Sequence, residues 1–177
     1  MEGRRIESDL GDLFAVRATV DQAPSVRRLR DDLARWMLEH GIEQWRPGDL
    51  PLEWIQECVS QGWVYVVSRG EELVGSVTIV WEDPLVWGER HEPAGYIHML
   101  MVNRAFAGRG FGRALLDWTE RFILDSERDL ARLDCTRGNR ALRRYYERGG
   151  YELVEYKAFP GLEMAPEAAL YEKGLRT

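Results

Sequence analysis

The sequence predicts a single α/β (α+β) domain in which a mixed sheet carries helices on both faces. Three observations lead there. Strand-like and helix-like segments interleave along nearly the whole chain in the order β-α-α-β-β-β-α-β-α-β-β, the signature of layered sheet and helix. Tyr96 to Val102 is an almost unbroken apolar run, interrupted only by His98, as expected of a strand covered on both faces. The composition is that of an ordinary globular chain: 177 residues, 45% hydrophobic and 31% charged, enough to bury one core and too apolar for disorder.

Taken in order, residues 1–11 are charged and aperiodic, which predicts a loose tail before a domain spanning 12–177. Residues 12–20 alternate as a first strand. Val26, Leu29, Leu33, Trp36 and Met37 form one stripe of a helix over 23–40, stopped by Gly41. Asp49 is the expected cap of a second helix running to about residue 61, with Pro51 in its first turn. Two apolar runs, 63–68 and 73–81, flank Arg69-Gly70-Glu71-Glu72 and read as a hairpin. Residues 83–93 are a polar loop before the central strand. A helix then runs to about Ser126, 132–136 is a short strand, and Asn139 caps a helix ending at Gly149-Gly150. Residues 151–159 and 168–173 close the sheet, separated by a Pro/Gly-rich loop.

Charge and cysteine usage narrow the function classes. A net charge of −6 argues against a nucleic-acid partner and favours a cationic or amine-bearing one. No apolar run approaches the ~18 residues of a membrane span. The N-terminal residues lack a signal peptide's apolar core, so a cytoplasmic location is expected. Cys58 and Cys135 are expected to be buried free thiols. Three scattered histidines and no Cys-x-x-Cys predict no metal site.

Between the central strand and its helix, Gly108, Gly110 and Gly112 fall at alternate positions. A strand entering a helix through glycines aims bare N–H groups and the positive end of the helix dipole at one spot, which suits a phosphate. Arg104, Arg109 and Arg113 surround it. No Gly-Lys-Ser/Thr follows, and the third glycine of a dinucleotide fingerprint would fall on Arg113. Phosphate binding by backbone amides without a metal remains, against the plainer reading of a tight turn with solvated arginines.

Val102-Asn-Arg-Ala-Phe-Ala-Gly-Arg-Gly-Phe-Gly-Arg-Ala-Leu-Leu resembles the acyl-CoA motif of the GNAT superfamily of N-acyltransferases. Asn139-Arg-Ala-Leu-Arg-Arg-Tyr-Tyr-Glu-Arg-Gly-Gly-Tyr resembles its second signature. Ala107 stands where the motif has Arg or Gln, which removes a side-chain contact and spares the backbone cradle. The resemblance implies a mostly antiparallel mixed sheet in which strands 96–102 and 132–136 are parallel neighbours that splay apart around acyl-CoA. It implies that backbone groups of Leu100, Met101 and Val102 meet the pantetheine, and that Gly108, Arg109, Gly110, Phe111, Gly112 and Arg113 hold the pyrophosphate. Asn139, a helix cap, gains a contact to the cofactor. Tyr146 becomes the acid for the departing thiolate, while Tyr145 packs beside Leu142.

No general base stands out. Glu82, His98 and Asp134 are candidates, His98 and Asp134 being more often core groups and Glu82 a solvated charge, and ordered water can serve instead. Trp36, Trp45, Trp81, Glu82 and Trp87 fall in regions that wall the acceptor pocket of related folds; singly each tryptophan is more often core or rim, and together they suggest a site for a cation or a flat ring. The expected activity is transfer of the acetyl group of acetyl-CoA to a primary amine of a small molecule, by direct attack in a ternary complex without a metal. A protein N-acetyltransferase and a non-catalytic acyl-CoA-binding module are the alternatives. A homodimer is compatible with the chain, though no residue pattern specifies one.

Overall fold

The computed structural model describes residues 4–159 and 167–176. Along the chain lie β1 (Arg4–Ile6), β2 (Leu13–Arg17), α1 (Ala23–Glu39), α2 (Leu52–Ser60), β3 (Val64–Arg69), β4 (Glu72–Val80), α3 (Pro84–Trp87), β5 (Ala94–Val102), α4 (Phe111–Asp125), β6 (Leu130–Thr136), α5 (Arg140–Arg148), β7 (Glu152–Ala158) and β8 (Glu167–Gly174). The strands form one sheet in the order β1-β2-β3-β4-β5-β6-β8-β7. Neighbours are antiparallel except β5 and β6. Most of the loop predicted between the closing strands lies outside the described residues.

Three local expectations are corrected. The charged tail carries the edge strand β1, whose Ile6 is fully buried in the core that holds Phe111 and Leu115. One apolar side chain and a free edge on β2 supply what the segment's own sequence lacks. Asp49 does not cap α2, where Pro51 holds the cap position. Its carboxylate instead accepts from the Arg46 N–H and pairs with the buried Arg30. Burial works to raise the Asp49 pKa, but the Arg30 hydrogen bond and charge outweigh it and the net shift is downward. The polar loop 83–93 contains the single turn α3, capped by Asp83, whose side chain accepts from the Val86 N–H at 3.1 Å.

The alternation of strand side chains divides the core between the sheet's two faces. α1 and α2 bury Val26, Leu29, Leu33, Ile55 and Val59 against Val64, Val66 and Met101. Across the sheet, α4 buries Phe111, Leu115, Trp118 and Ile123 with Val67, Val77, Ile79 and Ile97. α4 lies close on β5 because Gly95 leaves room: a Cβ there would stand 2.6 Å from Ile123. No described helix is long and apolar enough to cross a membrane.

Two irregularities in β5 shape the site. Against β6 it pairs in parallel only from Ala94↔Leu130 to Ile97↔Leu133, and beyond that point the strands part. Against β4 the register runs Ser76↔Met101 and then Thr78↔His98, so Met99 and Leu100 together face Val77. This is a β-bulge, and Met99 takes the positive φ of 45° that accommodates it. Met99 packs with the α1–α2 cluster while Leu100 and Val102 pack on the α4 side.

Candidate active site

A cleft of about 1080 Å³ opens where β5 and β6 part. One end is the turn from β5 into α4. Gly108 and Gly110 adopt φ of 77° and 71°, the left-handed region that side chains with a Cβ resist. No atom lies within 4 Å of where a Cβ would stand on either, so the space above the turn is open. The N–H groups of residues 108–112 have no backbone partner among the described residues; the first donor to turn inward is Arg113, to Gly110 O at 3.0 Å. The orphan amides and the dipole of the fifteen-residue α4 thus converge on open space. Beside it run the unpaired edges of β5 and β6, able to bond amides as an added strand would. A pyrophosphate followed by a pantetheine arm fits these features.

At the fork the first unpaired residues are His98 and Asp134, and both line the cleft. His98 Nε2 lies 3.2 Å from Asp83 Oδ2, and Nδ1 lies 3.9 Å from Asp134 Oδ1. Burial alone would depress the His98 pKa; the close contact and charge of Asp83, with the charge of Asp134, more than offset it, and the net shift is upward. Asp134 is also raised, because its desolvation exceeds the help it receives from His98. Tyr146 and Cys135 line the cleft nearby. Burial pushes the Cys135 thiol up to about 12 and the Tyr146 phenol far above its ordinary value, so both are protonated at neutral pH.

The cleft also has an apolar wall that includes Leu33, Trp36, Trp45, Trp54, Leu85 and Phe159. Arg30 lies over the Trp45 ring, 5.0 Å from its centroid, and Arg104 over Trp36 at 3.9 Å.

Of the residues singled out from the sequence, Leu100, Val102, Gly108, Gly110, Phe111, Gly112, Arg113, Tyr146, Trp36 and Trp45 meet along this cleft. Others sit elsewhere. The Met101 side chain is buried in the α1–α2 cluster, and the role expected of this residue belongs to its backbone. Arg109 is exposed beside the cradle, and Arg113 spends its guanidinium on Asp117 at 2.5 Å. Asn139 uses both side-chain atoms within the fold, accepting from Leu142 N–H at 3.1 Å and donating to Gln44 at 3.2 Å. Trp81 stacks on Phe122 on the α4 side, and Glu82 is exposed. Trp87 is core, 3% exposed and packed under Tyr96 and Arg132. A tryptophan near a loop says nothing about which face of the sheet it joins. Tyr145, expected to pack beneath the helix, also reaches the cleft.

Sequence reasoning missed Asp83, Trp54 and Phe159. Asp83-Pro84 was a legible signal for the start of a helical turn. Nothing in the sequence pointed to the other two.

Comparison with known proteins agrees with this geometry. Residues 27–151 match the acetyltransferase (GNAT) family. The uncharacterized N-acetyltransferase YesJ of Bacillus subtilis (strain 168) is 35% identical over 150 residues, covering 80% of this chain and 82% of that protein. A GNAT-family acetyltransferase crystal structure from Listeria monocytogenes 4b F2365 superposes with a TM-score of 0.74 at 24% identity, over 97% of this chain and 99% of that one. Another, from Streptococcus agalactiae 2603, gives 0.75 at 15% identity over 97% and 100%. With the splayed β5–β6 pair, the glycine cradle and a sequence match over most of its length, the chain belongs to the acetyltransferase (GNAT) family.

Proposed function

We propose that the protein transfers the acetyl group of acetyl-CoA to the primary amine of a small molecule, by direct attack within a ternary complex. One observation carries the reading: a single cleft joins the amide cradle, Tyr146, the acidic fork and an aromatic wall. Bound acetyl-CoA supplies an acetyl thioester. The amides of residues 108–112 are disposed to hold its pyrophosphate, and the free edges of β5 and β6 to align its arm. The apolar wall favours an acceptor with an apolar body. Among the described residues that line the cleft, Asp134 is the carboxylate that suits an ammonium head.

During transfer the nitrogen sheds two protons, and the sulfur needs one as the carbon–sulfur bond breaks and the carbon–nitrogen bond forms. Tyr146, held protonated, donates that proton and is restored by one from the nitrogen; the other leaves to solvent. Cys58 and Cys135, both buried and free, support a reducing, cytoplasmic setting.

The test is acetyl-CoA with a set of primary amines, free thiol being measured. Amine-dependent release is expected, largest for amines with an apolar body. Release only with peptides carrying a free N-terminus or lysine would favour a protein acceptor. CoA binding with no transfer would leave a binding module.

A further inference from the structure

We propose that His98 is the general base of this transfer, oriented by Asp83 behind it and assisted by Asp134 across the fork. The inference rests on the N-acetyltransfer reading above.

Asp83 is a fixed carboxylate. Its Oδ1 accepts from the Val86 N–H at 3.1 Å and caps α3. Its Oδ2 is buried with no aligned hydrogen-bond donor among the described residues, and His98 Nε2 lies 3.2 Å from it as an ion-pair contact. A proton on the neutral imidazole is therefore best placed on Nε2, where the carboxylate stabilises it. That leaves the Nδ1 lone pair toward the cleft, the arrangement a base needs.

Nδ1 is 3.9 Å from Asp134 Oδ1. The separation is too long for a hydrogen bond between them, yet shorter than two bonds of ~2.7–3.2 Å end to end. One ammonium nitrogen can therefore donate to both acceptors at once. The clamp exists because β5 and β6 part immediately before this pair of residues. Continued pairing would have closed the gap with backbone bonds.

The other neighbours do not compete. From β4, Thr78 opposite His98 is uncharged, and Cys135 on β6 and Tyr146 on α5 stay protonated. Glu82, one residue before Asp83, is exposed and does not line the cleft. In the step, Nδ1 takes one proton from the ammonium nitrogen, freeing its lone pair for attack. The imidazolium is then flanked by Asp83 and Asp134, and it returns to neutrality by releasing that proton to water.

Two variants and two kinds of measurement test this. Asp83→Asn keeps an oxygen for the Val86 N–H and removes the charge, so the His98 imidazole titration, followed by NMR in the unliganded protein, is expected to move to lower pH. The acidic limb of kcat for 2-phenylethylamine is expected to move with it, which a packing role would not cause. His98→Gln is expected to lower kcat about 10²–10⁴-fold for 2-phenylethylamine, an ammonium at neutral pH. The loss is expected to be smaller for 2,2,2-trifluoroethylamine, which is largely neutral there, and stabilisation by CoA should persist. Equal losses for the two amines, or an acidic limb indifferent to Asp83→Asn, would overturn the base and leave the transfer reading intact. Absence of amine-dependent thiol release by the wild type with any primary amine, despite stabilisation by CoA, would overturn both.

Discussion

Tyr146 and Tyr145 adjoin on α5, yet their hydroxyls face different surroundings. Tyr146 packs its ring edge-on against Tyr145 and Tyr151 and lines the cleft near Cys135. Tyr145 buries a hydroxyl without a partner among the described residues, 3.5 Å from where a Cβ on Gly112 would stand. Tyr146→Phe is expected to cut kcat about 10²–10⁴-fold with little change in the KM for acetyl-CoA, since a proton donated in the transition state does not bind the ground state. Tyr145→Phe should keep kcat near wild type and leave stability unchanged or higher, because it removes an unsatisfied buried group. Steady-state kinetics and urea midpoints check both; a Tyr146→Phe enzyme as fast as wild type would refute the assignment. The tryptophans divide in the same way. Trp36→Ala should raise the KM for the amine and spare that for acetyl-CoA. Trp87→Ala should cost about 3–5 kcal/mol of stability as a core truncation, with little effect on either KM.

On the proposed reading, elements rather than side chains make the cofactor half of the site. The bulge at Met99 and the parting of β5 from β6 free backbone groups, and the positive φ at Gly110 delivers the chain into α4 with its amides unspent. Gly110→Val puts a branched side chain into the open space and into a left-handed conformation costing roughly 1–2 kcal/mol. The variant should fold and lose CoA. Wild type at CoA ~100 times its Kd should gain about 2.7 kcal/mol, and the variant close to none. Matching thermal shifts in the two proteins would remove the cradle from this turn.

Across the whole molecule, the charges at the fork set how stability depends on pH. His98 is raised in the folded state, so its contribution is complete below about pH 6.5 and is lost as pH rises through the raised value. Asp134 is a raised carboxylate, so its ionisation begins to cost stability above the ordinary carboxylate range, and the cost is complete once pH has passed the raised value. Asp49, shifted down, acts in the opposite sense and loses its contribution in acid. Between mildly acidic and alkaline pH the wild type should therefore lose stability through the fork. Asp134→Asn removes that carboxylate's penalty and the charge that raises His98, and should flatten the loss. Urea midpoints at pH 5 and pH 8 measure it. A variant destabilised more at pH 8 than at pH 5 would contradict the assignment.

The sequence by itself determined the succession of elements, the covered central strand, the glycine turn into α4 and the two motifs that mark the family. Each is local: periodicity, glycine and a helix cap act over a few residues, and a chain of one sign of twist leaves few ways to stack such elements. Tertiary structure alone decided that Ile6 completes an eighth strand, that Asp49 answers Arg30 and not α2, and that Trp87 is core while Trp54 is wall. It also decided that Asp83, His98 and Asp134 gather, residues drawn from a loop and two strands and separated by up to 51 positions (134 − 83). The physical reason is the same throughout. Which face of the sheet a side chain joins, and what charge waits there, depends on the pairing of distant strands, and a one-residue bulge in β5 is enough to change the answer.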